Sequence, residues 1–507
     1  MSLQRLNGRE PTLLYDIRST RLIESSLMAR LPAHSLMQRA GQSLSQLALA
    51  LAPHAQTIWI ACGPGNNGGD GLEAAIVLHR AGMSVKVSLF PASQPRPVDA
   101  QTALQRAQAA GVEFGPAPER LLPGDLIIDC LLGMGSRRAV SGEMAEWIAI
   151  MNQSQATVLS ADQPSGLEAE SGQTLGQDKG TPGPVVHAAH TLMLLTAKPG
   201  LFMGAGRDAA GQLWLDDLIR QDTELAAFMD VAACSQVNSH SNAVPRKHQS
   251  HKGSYGDVAI VGGEGVSERG MGMTGAALLA ASAALHGGAG RVMVSFLSAS
   301  TAPQVLSEQP ELMLRRFEAL DLHQLTVVCG CGGGIAIQRV LAEVLQRSWH
   351  LVLDADALNA IAQNTIWTKL LKNRSARGRP TVLTPHPLEA ARLLGSTTAE
   401  VQAHRLRSAE TLAQQWGCTV VLKGSGTVIA CPGQISRINP SGNGRLATAG
   451  TGDVLAGWIG AQMAQSAGTA LAAFEAASYA VYQHGKAADT WPADTGLTAS
   501  ALAQCAH

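Results

Sequence analysis

The sequence predicts an α/β protein of two domains, each a parallel sheet covered by helices on both faces. Three observations predict it. Short apolar runs ending in Gly, Pro or an acid alternate with helix-like segments along most of the chain. The alternation lapses once, in the polar stretch that begins at 221, and then restarts at 256. At roughly 150 residues per domain, 507 residues allow two to four domains.

Composition narrows the class. Apolar residues make up 46% and charged residues 15%, the balance of a compact globular chain. The net charge is −1, with no basic stripe and no aromatic platform, so nucleic acid is not an expected partner. The opening "MSLQRLNGRE" is polar and leads into no apolar run, so no signal peptide is expected. The most apolar long stretch, 467–485, contains Glu475 and polar breaks and reads as a buried helix, not a membrane span. The eight cysteines are scattered without a CxxC, which fits reduced thiols in a cytoplasmic compartment.

In the first domain, 1–220, the expected strands lie in 57–63, 84–90, 125–133, 156–162 and 190–200. Residues 221–247 are read as the linker, and 248–507 as the second domain. Its expected strands lie in 256–264, 290–297, 325–334, 350–359, 380–387 and 418–430. Residues with chemistry follow strand ends throughout, where open α/β sheets bind ligands.

The densest such loop is "GPGNNGGDG" (63–71), with five glycines in nine residues. It satisfies G-x-G-x-x-G after a strand and before a helix. A dinucleotide cofactor site would place an acid at the end of the next strand to hold a ribose. That strand runs into "FPASQPRP", with no acid before Asp99. The loop also carries Asn66, Asn67 and Asp70 where the fingerprint needs only backbone. Two more loops converge on it in a parallel sheet: "DCLLGMGSRRAVSG", with Asp129 and Arg138, and "SADQPSGL", with Asp162 and Ser165. Asn67, Asp129 and Ser165 are hard oxygen donors suited to a hard cation. Asp162 suits acid–base work at a carbon; the plainer reading is a helix cap aided by Ser165.

Together with "LMQRAG" and "KPGL", these three loops resemble the NAD(P)H-hydrate epimerase family over about 15–220. The resemblance implies a Rossmann-like domain that interconverts the R and S forms of hydrated NADH and NADPH and binds potassium. It implies substrate contacts at Asn66, Asn67, Gly68, Gly69, Asp70, Gly133, Met134, Gly135, Ser136, Arg137, Arg138, Ala139 and Asp162, with Asp162 catalytic. The implied potassium ligands are Asn67, Asp129 and Ser165. Gln163 departs from the family's apolar residue at that position.

In the second half, Gly450-Thr451-Gly452-Asp453 opens an apolar helix. Amides at a helix start make an anion hole, and the aspartate suits a base. The tetrad resembles the phosphoryl-transfer site of the ribokinase superfamily, and no P-loop is present. "KGSYG", "GMTGAALLA", "LDADALN", "TPHPLEAARLLG" and "LKGSGTVI" narrow the resemblance to ADP-dependent NAD(P)H-hydrate dehydratase over about 248–503. That implies a ribokinase-like domain that removes water from the S hydrate, with ADP and magnesium. The implied nucleotide contacts are Lys423, Gly424, Ser425, Gly426, Thr427 and Gly452. The implied hydrate contacts are Ala277, Gly332, His386 and Asp453, with Asp453 transferring the proton. Leu388, Ala449 and "GCGGG" (330–334) depart from the family pattern. A homo-oligomer is expected from the family. The alternative weighed is a ribokinase-like small-molecule kinase carrying a non-catalytic amino-terminal binding domain, which the tetrad alone permits.

Overall fold

The computed structural model describes residues 3–8, 10–118, 120–176, 181–239, 247–297, 306–466 and 468–505. It divides into two compact units between Gln236 and Val237.

The sheet of the first unit runs, edge to edge, Gln4–Arg5, Gln212–Asp216, His190–Leu194, Thr157–Ala161, Leu126–Cys130, Ile58–Cys62, Val85–Leu89 and Glu113–Phe114. All neighbours are parallel except the Gln4–Arg5 edge. Strands Ile58–Cys62 and Leu126–Cys130 are buried at every position, as central parallel strands covered on both faces must be. One face packs against the helices Ile17–Met28, Ser35–Leu51 and Asn66–Arg80. The other packs against Glu143–Gln153, through Trp147, Ile148 and Met151. Chain order reverses beside Ile58–Cys62, so the loops after that strand and after Leu126–Cys130 splay apart and leave a crevice.

The expected linker begins too early at 221. Residues Asp222–Glu224 and Ala226–Met229 are helical turns of the first unit. Glu224 is buried and takes both terminal nitrogens of Arg39, at 2.7 and 2.9 Å. The ion pair anchors the segment together with Ala227, Phe228, Val231 and Ala233, which pack on the core of the first unit. Positions 240–246 of the expected linker lie outside the described residues.

The second unit orders its strands Met313–Leu314, Arg291–Phe296, Asp257–Gly262, Thr326–Cys329, His350–Leu353, Thr381–Leu383, Thr419–Leu422, Val428–Ala430 and Arg437–Ile438. The pairs are parallel up to Thr419–Leu422 and antiparallel beyond it. The stretch 418–430 is therefore a hairpin, and Lys423 to Thr427 form its turn. The apolar helices Thr274–His286 and Thr451–Ala464 pack tightly, since a Cβ at Gly457 would overlap the Ala280 carbonyl.

Candidate active sites

The crevice of the first sheet opens into a cavity of about 440 Å³. Asn66, Asn67, Asp70, Gly133, Met134, Gly135, Ser136 and Asp162 all line it. The helix Asn66–Arg80 begins within the glycine loop, so the two asparagines and Asp70 occupy its first turns. Gly68 and Gly69 do not line the cavity. A Cβ at Gly68 would overlap the Gly63 carbonyl, and one at Gly69 would strike Met37. These two glycines allow close packing at the helix start. Arg137, Arg138 and Ala139 are exposed and follow the last lining residue of that turn, Ser136.

Asp162 follows the strand Thr157–Ala161 with φ +65°, a left-handed conformation that aspartate tolerates better than most residues. Its Oδ1 accepts from Lys198 Nζ at 2.5 Å, and its Oδ2 from the Met134 amide at 3.3 Å. Lys198 is 1% exposed and also donates to the Leu194 carbonyl at 2.9 Å. Sequence reasoning noted "KPGL" without giving this lysine a role; a lysine closing a buried apolar strand was the available signal. Burial, then the Asp162, Glu24 and Glu73 carboxylates, hold the Asp70 carboxyl well above the ordinary range. Gln163 is buried and donates to the Leu167 carbonyl at 2.8 Å, so its departure from an apolar residue is absorbed inside the turn.

The three expected cation ligands differ in state. Asn67 is 8% exposed, and neither Oδ1 nor Nδ2 has a hydrogen-bond partner. Asp129 is fully buried and accepts four bonds, from the Leu131 amide, the Ser160 hydroxyl, and the Ser165 amide and hydroxyl. Burial still raises its carboxyl despite those donors. Ser165 Oγ in turn accepts from the Leu132 amide at 2.9 Å.

In the second unit, Asp453 sits in the first turn of Thr451–Ala464, capped by Gly450 at φ +91°. Its carboxylate, the Asp354 carboxylate and the Cys331 thiol lie within 4.8 Å of one another. Lys423 Nζ donates to Asp354 Oδ1 at 2.6 Å. A Cβ at Gly452 would come within 3.4 Å of the same Nζ. Burial and then Asp354 push the Asp453 carboxyl up to about 7, against the pull of Cys331 and Lys423. Burial opposes the charge on Lys423, but the Asp354 and Glu389 carboxylates outweigh it and raise the ammonium's pKa. The nucleotide loop is braced from behind. Buried Arg405 donates to the Leu422, Lys423 and Gly426 carbonyls at 3.2 to 3.3 Å. Neither Asp354 nor Arg405 was singled out as a site residue from the sequence.

One expected hydrate contact is corrected, and a second has a structural role as well. Ala277 is fully buried within the core, so it presents no surface to a ligand. His386 caps the helix Pro387–Leu394: its Nδ1 accepts from the Leu388 and Glu389 amides at 3.1 and 3.3 Å. That puts a neutral ring's proton on Nε2, 3.2 Å from Glu389 Oε1. Gly332 is buried at φ +58°, its carbonyl accepting from the Glu264 amide at 2.7 Å. Thr451, between the expected anion-hole glycines, turns its amide to the Thr448 carbonyl at 3.4 Å. Leu388 is 45% exposed and Ala449 is exposed, so neither bulky departure crowds a buried contact.

A cavity at the switch point of one parallel sheet and a carboxylate–lysine cluster at the strand ends of another define a two-site α/β enzyme. Residues 33–200 match the family described as YjeF-related protein N-terminus, and 260–506 match NAD(P)H-hydrate dehydratase. The bifunctional NAD(P)H-hydrate repair enzyme of Escherichia coli is 35% identical over 93% of this chain and 88% of its own. That of Coxiella burnetii is 34% identical over 94% of each. The ADP-dependent (S)-NAD(P)H-hydrate dehydratase of Neisseria meningitidis is 42% identical over 51% of this chain and 84% of its own. The chain belongs to the bifunctional NAD(P)H-hydrate repair enzyme family.

Proposed function

We propose that this protein repairs hydrated NADH and NADPH in two steps. The first unit interconverts the R and S hydrates, and the second dehydrates the S form with ADP and magnesium. The observation that carries this reading is convergence: each motif set gathers at the strand ends of its own parallel sheet, around Asp162 in one unit and Asp453 in the other.

In the first site Asp162 exchanges a proton with the hydrated ring. Lys198 pairs with the carboxylate and orients it, and the Met134 amide fixes its other oxygen. Asn66, Asn67 and the 133–136 turn bind the substrate. The donor set fits potassium in part. Asn67 Oδ1 is a buried oxygen lacking a partner, whereas the Asp129 and Ser165 side chains already satisfy each other. Asn67 would therefore be the principal side-chain ligand, with Asp129 and Ser165 as supporting oxygens. Bound potassium supplies a fixed positive charge in an oxygen-lined pocket. Potassium should raise the unfolding temperature of wild-type protein, and Asn67→Ala should erase that response; an equal response in both would remove Asn67 from the ligand set.

In the second site Asp453 is a general base whose raised carboxyl makes it a stronger proton acceptor than an ordinary aspartate. Lys423, Gly424, Ser425, Gly426, Thr427 and Gly452 hold the nucleotide, with Asp354 fixing Lys423. Bound ADP supplies phosphate oxygens that assist departure of the hydroxyl. Purified S hydrate should return to NADH only with ADP present, and Asp453→Asn should slow that step about 100-fold or more. Unchanged turnover in that variant would dismiss Asp453 as the base.

A further inference from the structure

One wall of the first cavity comes from an element outside the matched segment 33–200, the helix Ile17–Met28. Asp16 caps it, Oδ1 accepting the Ser19 amide at 2.6 Å. Ile23 and Leu27 are buried in the core. Thr20 Oγ1 lies 2.8 Å from Thr196 Oγ1, which seats the helix on the loop that carries Lys198. With both contacts fixed, the flank at Thr20, Arg21, Glu24 and Met28 faces the cavity. Thr20, Glu24 and Met28 follow an i, i+4, i+8 stripe, so Glu24 is delivered there by the helix itself.

Glu24 differs from the other acid of the reaction. Asp162 is paired with Lys198, whereas Glu24 has neither hydrogen bond nor ion pair among the described residues. The charges facing it are Asp162, Asp70 and Asp99 on one side of the balance, and Lys198 and Arg21 on the other. Burial and then the Asp162 carboxylate raise its carboxyl above the ordinary range, so it keeps its proton to higher pH. An unpaired, half-buried acid in a cavity is costly for stability and suited to proton transfer.

We infer that Glu24 is a second catalytic residue of the epimerase site, serving the substrate hydroxyl from the helical wall while Asp162 serves from the strand wall. The inference rests on the epimerase reading above. In the hydrate the hydroxyl is on C6, beside the ring nitrogen. The C6–O bond breaks with its electron pair on oxygen, and Glu24 gives that oxygen its proton, forming water. The nitrogen lone pair closes a C=N bond. Water then adds to the other face of C6, its proton passes to the Asp162 carboxylate, and the C=N pair returns to nitrogen. Nothing is oxidised or reduced; one proton moves from Glu24 to Asp162, and the reverse turnover or solvent restores both.

The test uses the full chain and purified R hydrate, with the two epimers separated by chromatography. Glu24→Gln should lower kcat for R-to-S conversion about 100-fold with KM nearly unchanged. Glu24→Asp should recover part of that rate. The wild type should lose activity as pH rises through the Glu24 titration, and Glu24→Gln should lack that limb. ADP-dependent dehydration of purified S hydrate should be the same in all three proteins. A Glu24→Gln kcat equal to wild type, or a loss confined to KM, would overturn the inference. So would a Glu24→Asp variant as slow as Glu24→Gln with a lowered unfolding temperature, which would mark a structural role. A wild type that leaves the epimers at their spontaneous rate would overturn the epimerase reading itself.

Discussion

Asp162 holds a left-handed backbone, and that limits how its role can be probed. Asn shares the tolerance for φ near +65°, whereas Ala does not, so Asp162→Asn separates chemistry from strain. It should cut epimerisation about 100-fold or more while unfolding temperature stays near wild type. Epimerisation at the wild-type rate would remove Asp162 from the mechanism. Asp453 makes a second residue-level prediction, on pH. Its carboxyl titrates near 7 in the folded protein and near 4 unfolded, so the folded state binds the proton more tightly. The stability it contributes is present at low pH and is lost as pH rises from about 4 to about 7. With Asp453 as the proposed base, dehydration should instead fall as pH drops below about 7. Asp453→Asn should therefore be about 100-fold slower or more, yet more resistant to denaturant than wild type at pH 8. Equal stability at that pH would contradict the burial argument.

At the scale of elements, the glycine loop combines two kinds of glycine. Gly68 touches the Gly63 carbonyl across the helix start, whereas a Cβ at Gly65 would meet nothing within 4 Å. Gly68→Ala should destabilise the first unit by about 2 kcal/mol or more, and Gly65→Ala by less than about 0.5, measured by denaturant unfolding. Similar losses for both would mean that the loop tolerates no side chain at all. The Arg39–Glu224 pair fastens the segment after Gln212–Asp216. The Arg39 hydrogen bond holds the Glu224 carboxyl at about 2, so its contribution is full above the unfolded carboxyl range and fades as pH falls from about 4 toward 2. Glu224→Gln leaves the Arg39 guanidinium without its countercharge and should cost about 3 kcal/mol at neutral pH.

These elements also show what could be read from the sequence. Each expected strand of 1–220 contains a real one, because buried parallel strands are continuous apolar runs bounded by breakers. The hairpin in 418–430 was not separated into two strands, since both arms are equally apolar. The segment 221–236 reads as a linker because its anchors, the Arg39–Glu224 pair 185 residues apart in sequence and a few apolar residues around Phe228, show no periodicity. The helix Ile17–Met28 buries Ile17, Ile23 and Leu27 on one face, but nothing in its sequence marks the flank with Arg21 and Glu24 as facing a cavity and not solvent. Ligand loops are legible because glycine marks close approach, whether to substrate or, as at Gly68 and Gly69, to neighbouring protein atoms.

For the whole molecule, the central claim is that two sites act in turn on one damaged metabolite. The protein should be mixed with NADH hydrate containing both C6 epimers, with and without ADP and magnesium, while nicotinamide absorbance is followed. Complete recovery that needs ADP and outpaces spontaneous epimerisation is the predicted result, with Asp162→Asn stalling near half. Absence of recovery under any condition, together with ATP-dependent phosphorylation of a small hydroxyl compound, would contradict the account and favour a kinase.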